Sequence, residues 1–188
     1  MNQNNRVFKM VVAAMLCAVG IVIPMVCPKI SIEPASFTLA SHVALFLAMF
    51  LSPKITVAVW LGTTLGFQLT GFPPVVVMRA ASQIVFALAG ALWLKKNPQL
   101  LQTRRGIVLF ALLTGLVHGA MEIVAVLPFY VSNSLPAANY QKGFLISVFL
   151  LVGVCTIIHS IVDFAIAKVV YKPISQMTHI KKIAVVTQ

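Results

Sequence analysis

Two pairs of side chains stand at i, i+4 spacing: His118 with Glu122, and His159 with Asp163. An imidazole and a carboxylate one helical turn apart share a helix face, where they can hydrogen-bond, share a proton, or offer two ligands to a metal ion. Arg79 poses a different question. It sits in GFPPVVVMRAASQ (71–83), and the chain runs apolar again through FALAGALWL (86–94). A guanidinium is permanently charged, and its planar fork matches a carboxylate bidentately, so an apolar setting asks which anion it meets. Metal sites usually take three or four protein ligands, and each i, i+4 pair supplies only two. Interhelical hydrogen bonding is therefore the expected role of both pairs, with no metal and no other cofactor. No G-x-S-x-G, H-E-x-x-H or G-x-x-x-x-G-K-[ST] motif occurs, so the chain is not expected to be an enzyme. With no P-loop, any ATP-driven function must borrow its ATPase from another chain.

The elements that position these residues follow from composition. The chain is 60% hydrophobic and 9% charged, with a mean hydropathy of +1.00 over 188 residues. A soluble domain of this length needs far more polar surface. Apolar stretches long enough to cross a hydrocarbon core of about 30 Å recur along the chain. The expected fold is an all-α integral membrane protein, a single bundle of six transmembrane helices filling residues 1–188 as one domain. The spans are placed at 7–27, 37–51, 55–71, 74–94, 106–128 and 144–170, the second and third being short. Pro28, Pro34, Pro53, Pro73-Pro74, Pro98 and Pro136 mark boundaries, since proline lacks the N–H that a helix interior uses. Arg6 and Lys9 precede an apolar run much as in a signal peptide. No small-x-small cleavage site precedes Pro28, however, and five further spans follow, so 7–27 is expected to remain as the first helix. Cys17, Cys27 and Cys155 fit neither a disulfide framework nor a metal knuckle, and are expected to pack in apolar surroundings.

Orientation follows from the basic residues. With the N-terminus inside, the inner segments hold Arg6, Lys9, Lys54, Lys95, Lys96, Arg104, Arg105, Lys168, Lys172, Lys181 and Lys182, while the outer loops hold only Lys29 and Lys142. Both termini are therefore expected in the cytoplasm. The net charge of +11 then reflects topology and anionic membrane lipid, and its dispersal over loops argues against nucleic-acid binding.

Counted along the spans, Arg79 lies about one and a half turns inside the outer end of the fourth helix, where a charge costs roughly 2.5–3.5 kcal/mol. Glu122 and His118 on the fifth helix reach a similar level, as do His42 on the second and Gln68 on the third. Gln83 follows Arg79 at i+4, and Asn139 and Tyr140 belong to the last outer loop. Polar residues in membrane helices face the bundle interior or a watery cavity, so this layer reads as an outward-facing anion pocket. The plainer alternative is that Arg79 snorkels to the headgroups or pairs structurally with Glu122. Asp163 and His159 count to the inner half of the sixth helix, far below Arg79 and about four turns from the His118–Glu122 pair.

In the first helix, AMLCA (14–18) sets Ala14 and Ala18 four apart, a small-xxx-small spacing that admits close approach by another helix. With six short spans, inward termini and an outer polar pocket, the whole chain resembles the substrate-binding S components of energy-coupling factor (ECF) vitamin transporters. AMLCA matches the AxxxA motif of that family. The segments ASFTLASHVALFLAMFLSP (35–53) and LTGFPPVVVMRAASQIVFALAGAL (69–92) resemble the branch that handles small carboxylate vitamins of niacin or pantothenate type.

The resemblance implies a prokaryotic cell-membrane protein that captures a water-soluble vitamin from outside. It also implies that Ala14 and Ala18 dock a membrane T component, itself coupled to two cytoplasmic ATPases. The vitamin site would lie near the outer face under a lid at 28–36. Arg79 would hold the vitamin carboxylate, with Gln83, His42, Gln68, His118, Glu122, Asn139 and Tyr140 as further substrate contacts. Nicotinate, with Trp60, Phe67, Phe72 or Tyr140 stacking on its ring, is preferred over pantothenate. Two readings from other classes stay open. One is a self-sufficient secondary transporter acting as a homodimer. The other is a small intramembrane metal-dependent enzyme built on His118, Glu122, His159 and Asp163.

Overall fold

In the computed structural model, which describes residues 3–32 and 35–186, the apolar runs are helices and the proline-bearing joints are turns. In chain order the elements are α1 (Gln3–Val26), a hairpin of β1 (Lys29–Ile32) and β2 (Ala35–Thr38), α2 (Val43–Leu51) and α3 (Pro53–Leu69). There follow α4 (Pro74–Ser82), α5 (Ile84–Lys96), α6 (Arg104–Val131), α7 (Ala138–Gln141), a π-helical segment (Leu145–Val154) that runs into α8 (Cys155–Ile174), and α9 (Thr178–Lys181). Among the described residues, four helical stretches are long and apolar enough to cross a membrane: Asn5–Val26, Pro74–Lys96, Arg104–Val131 and Leu145–Ile174. The chain is thus an all-α membrane protein with one small hairpin. Their surfaces carry exposed large apolar side chains such as Met15, Leu112, Leu116 and Phe149, as lipid solvation requires.

Local chemistry sets the joints. Ser52 ends α2 and caps α3, its Oγ accepting from Ile55 N at 3.2 Å, with Pro53 in the first turn where a missing N–H costs nothing. Thr103 caps α6 in the same way, accepting from Gly106 N at 3.1 Å. Close helix contacts use small residues. A Cβ on Gly62 of α3 would lie 2.5 Å from Cys17 Sγ of α1, and one on Gly119 of α6 would lie 2.7 Å from the Gly153 carbonyl oxygen. Ala14 and Ala18 take no part in this packing and are exposed on α1.

The second expected span is corrected in its first third. Phe37 and Thr38 belong to β2, and α2 holds nine residues, all buried. At 1.5 Å per residue that is about 14 Å, half a hydrocarbon core. Hydropathy cannot distinguish a helix bathed in lipid from one enclosed by other helices, and α2 is the enclosed kind. Phe46 and Phe50 of α2 pack with Phe86, Phe110, Phe164 and Tyr171 as the centre of the core. The C-terminal residues return to this core, with Val185 N and Val186 N donating to the Phe50 carbonyl at 3.0 and 3.2 Å. In the expected lid (28–36) the strands pair antiparallel, Lys29 opposite Thr38 and Ile30 opposite Phe37. Glu33 and Pro34 lie outside the described residues.

Candidate functional site

A cavity of about 270 Å³ opens at the end of the bundle that carries the hairpin and the α3–α4 turn. Its polar lining includes Arg79 and Gln83 after α4 begins, Glu122 from α6, Ser41 and His42 before α2, and His159 from α8. Phe67 and Phe72 supply an aromatic wall, their rings stacked at 4.6 Å and 29°.

Arg79 donates from Nε to Glu122 Oε2. The two termini of this pair differ in access, with the Arg79 side chain 24% exposed and that of Glu122 only 2%. The terminal amino groups of Arg79 have no partner among the described residues. Glu122 therefore fixes the guanidinium by one edge and leaves its fork toward the cavity. The other oxygen of Glu122 lies 3.5 Å from His118 Nε2. His118 is fully buried, stacked on Phe86 at 4.2 Å and met edge-on by the His42 ring at 4.7 Å.

His42 carries the network onward. Its Nδ1 lies 3.0 Å from Asp163 Oδ2, and His159 Nε2 lies 3.2 Å from the same oxygen. The Asp163 carboxylate also accepts backbone bonds from Ala40 N and His42 N, each at 2.8 Å. Ser41 Oγ sits between the imidazoles, 3.2 Å from His42 Nδ1 and 3.0 Å from His159 Nε2. The sequence expectation that His159 and Asp163 form a separate centre, about four turns from His118 and Glu122, is overturned. The His42 ring meets both His118 and His159, and His159 lines the same cavity as Arg79 and Glu122. Depth counted along helices assumes that each joint sits at the membrane surface. Residues 39–42 instead turn beside the cavity, with Leu39 exposed, residues 40–42 half-buried and Ala40 at a φ of +66°, and α2 starts there. Non-helical N–H groups in such a turn need acceptors, and Asp163 supplies them for Ala40 and His42. His42, not five residues into a helix but at its N-cap, joins the two pairs.

The other expected residues are placed as follows. Gln83 ends α4 and lines the cavity, and His118 lies behind its wall. Gln68 is exposed on α3, off the cavity. Asn139 Nδ2 donates to Pro136 O at 3.2 Å, while Tyr140 donates to Phe129 O at 3.2 Å and accepts from Leu135 N. Both residues thus tie down the loop after α6 and do not line the cavity. Trp60 donates to the Ala80 and Ala81 carbonyls at the α4–α5 break, leaving Phe67 and Phe72 as the stacking surface.

Sequence reasoning passed over Ser41, Lys29 and Thr156, which also line the cavity. For Ser41 the available signal was its place beside His42, directly before a wholly apolar nine-residue run. The ligand atoms of His42, His159 and Asp163 lie within 4.8 Å of one another, close enough to hold a metal ion. Both carboxylate oxygens accept backbone N–H bonds, however, and hydrogen bonding accounts for the cluster.

Chemically, the cavity offers a half-engaged guanidinium, an aromatic wall, and a floor of imidazoles and a hydroxyl. Arg79 and Glu122 neutralise each other, so an entering carboxylate meets a fixed fork without a strong repulsive field. No family model matches the sequence, and no solved structure matches it. The chain is 41% identical to the niacin transporter NiaX of Lactococcus lactis subsp. cremoris over 163 residues, covering 86% of this chain and 72% of that one.

Proposed function

The chain belongs to the niacin transporter family, and we propose that it is the membrane-embedded substrate-binding subunit of an ATP-driven ECF importer that captures niacin from outside. One observation carries the choice of substrate. Arg79 is held by Glu122 at the wall of a cavity of about 270 Å³, beside the stacked Phe67 and Phe72. Drug-sized ligands occupy about 300–1,000 Å³, so this volume suits a single-ring acid. The carboxylate of nicotinate would engage the free edge of the guanidinium, and its ring would lie against the phenylalanines. Pantothenate is less well served, because Gln68 and Asn139, polar groups that could meet its hydroxyls and amide, lie off the cavity.

Membrane placement extends the same reading. The four long spans, with α3 and the enclosed α2, make a six-segment plan with both termini cytoplasmic. The cavity then opens outward in a prokaryotic cell membrane, beneath the hairpin. The exposed Ala14 and Ala18 face of α1 supports docking of a T component, through which two ATPases would act.

Calorimetry on the detergent-purified chain, with mass spectrometry of any co-purified ligand, tests the substrate. Nicotinate should bind and pantothenate should not; pantothenate binding alone would overturn the choice. Uptake into liposomes by this chain without ATPases would overturn the ECF coupling in favour of a secondary transporter.

A further inference from the structure

The contacts around Asp163 assign the hydrogens of its neighbours. His42 Nδ1 hydrogen-bonds Asp163 Oδ2 at 3.0 Å, and His159 Nε2 lies 3.2 Å from the same oxygen. An ionised carboxylate only accepts and repels a bare nitrogen lone pair, so both ring nitrogens are assigned a hydrogen. Ser41 Oγ lies 3.2 Å and 3.0 Å from those same two nitrogens. Facing two protonated nitrogens, the hydroxyl cannot donate to either. Among the described residues its own hydrogen has no other acceptor, and Ser41 lines the cavity. The hydroxyl is therefore held as a donor directed into the cavity, on a different element from Arg79.

We propose that Ser41 is a specificity-determining residue that donates to the ring nitrogen of an aromatic N-heterocyclic carboxylate. Asp163, His42 and His159 are positioning residues that keep its hydroxyl a donor. The inference rests on the niacin reading and deepens it. The pyridine nitrogen of nicotinate is an acceptor whose lone pair lies in the ring plane, at the position meta to the carboxylate and pointing away from it. A cavity with a guanidinium on one wall and a fixed hydroxyl donor on another reads both edges of such a ring. Benzoate has the same carboxylate and nearly the same shape, but no acceptor on the far edge. It would leave the Ser41 hydroxyl enclosed without a partner, which a site built for a hydrogen bond disfavours.

The test is calorimetry of the purified full chain with nicotinate, isonicotinate and benzoate. Wild type should bind nicotinate about 10- to 100-fold more tightly than benzoate. It should also prefer nicotinate to isonicotinate, whose nitrogen points elsewhere. Ser41→Ala should weaken nicotinate by a similar factor, leave benzoate unchanged and so remove the preference; Ser41→Thr, which keeps the hydroxyl, should restore most of it. A general structural role for Ser41 would weaken all three ligands together and overturn the inference. The wild-type comparison needs no variant to fold: equal binding of nicotinate and benzoate sinks the role of Ser41 while leaving the niacin reading intact. Failure of wild type to bind nicotinate sinks the niacin reading and this inference with it.

Discussion

Replacing Arg79 by Gln separates two uses of one guanidinium. Its Nε holds Glu122, while its side chain is 24% exposed toward the cavity. If the free edge binds a vitamin carboxylate, Arg79→Gln removes a charge-assisted contact of about 2–4 kcal/mol, roughly 30- to 1,000-fold in Kd. The same change strands Glu122, 2% exposed, with His118 at 3.5 Å as its remaining neighbour. Removing one partner of a buried pair costs about 3–5 kcal/mol, and the partial exposure of Arg79 places this case at or below the lower end. Stability and affinity therefore fall together in the single variant and must be separated.

Two comparisons separate them. Adding Glu122→Gln removes the stranded charge, so the double variant should regain melting temperature without regaining affinity. Nicotinamide lacks the anionic carboxylate, so it should bind wild type poorly, and the gap between acid and amide should shrink in Arg79→Gln. That loss of difference is a coupling between residue and ligand group, which a purely structural ion pair does not produce. Arg79→Lys should recover only part of the affinity, since an ammonium offers no planar fork. Calorimetry of acid and amide against these four proteins, with their melting temperatures, reads all of this. Equal losses for acid and amide in Arg79→Gln would refute the carboxylate-binding role and leave Arg79 as a structural partner of Glu122.

Replacing Ala14 and Ala18 together by Leu should abolish nicotinate uptake in cells that hold the coupling subunits, while nicotinate binding to the purified chain is unchanged; unchanged uptake would place docking elsewhere. Asp163→Asn should lower the melting temperature by an amount equivalent to about 2–4 kcal/mol, because two backbone N–H groups and two imidazoles lose an anionic acceptor. Nicotinate affinity should fall with it. Wild-type melting and affinity in that variant would contradict the joining of the two His–carboxylate pairs.

What the sequence made legible is what depends on composition and on spacing within one element. Apolar content marks the membrane class, and the α6 boundaries Arg104–Val131 lie within three residues of the expected 106–128. His118 and Glu122 sit on one face because i, i+4 spacing requires it, and Arg79 meets Glu122 as the plainer reading foresaw. Rotation about the helix axis was not legible. Gln68 counts to the same level as Arg79 yet faces outward from α3. Asn139 and Tyr140 fall in the connection after α6, where they form part of the short α7, and their groups are consumed in closing that connection.

The one large misreading, the depth of Asp163, has a physical cause that also explains the site. A nine-residue helix enclosed in the core begins at a turn packed against the bundle, and its half-buried entering backbone brings N–H groups that need acceptors. A carboxylate facing two of those N–H groups is the strongest available acceptor. Asp163 is thus required by the shortness of α2, and neither residue 163 nor the run 43–51 shows this when read alone. Once Asp163 anchors Ala40 and His42, the intervening Ser41 and the His42 ring are held at the cavity, facing the space that Arg79 borders from α4. The polar group that makes the half-buried turn tolerable is the one that orders the binding wall, so the cavity's chemistry and the fold's most expensive feature share a single carboxylate.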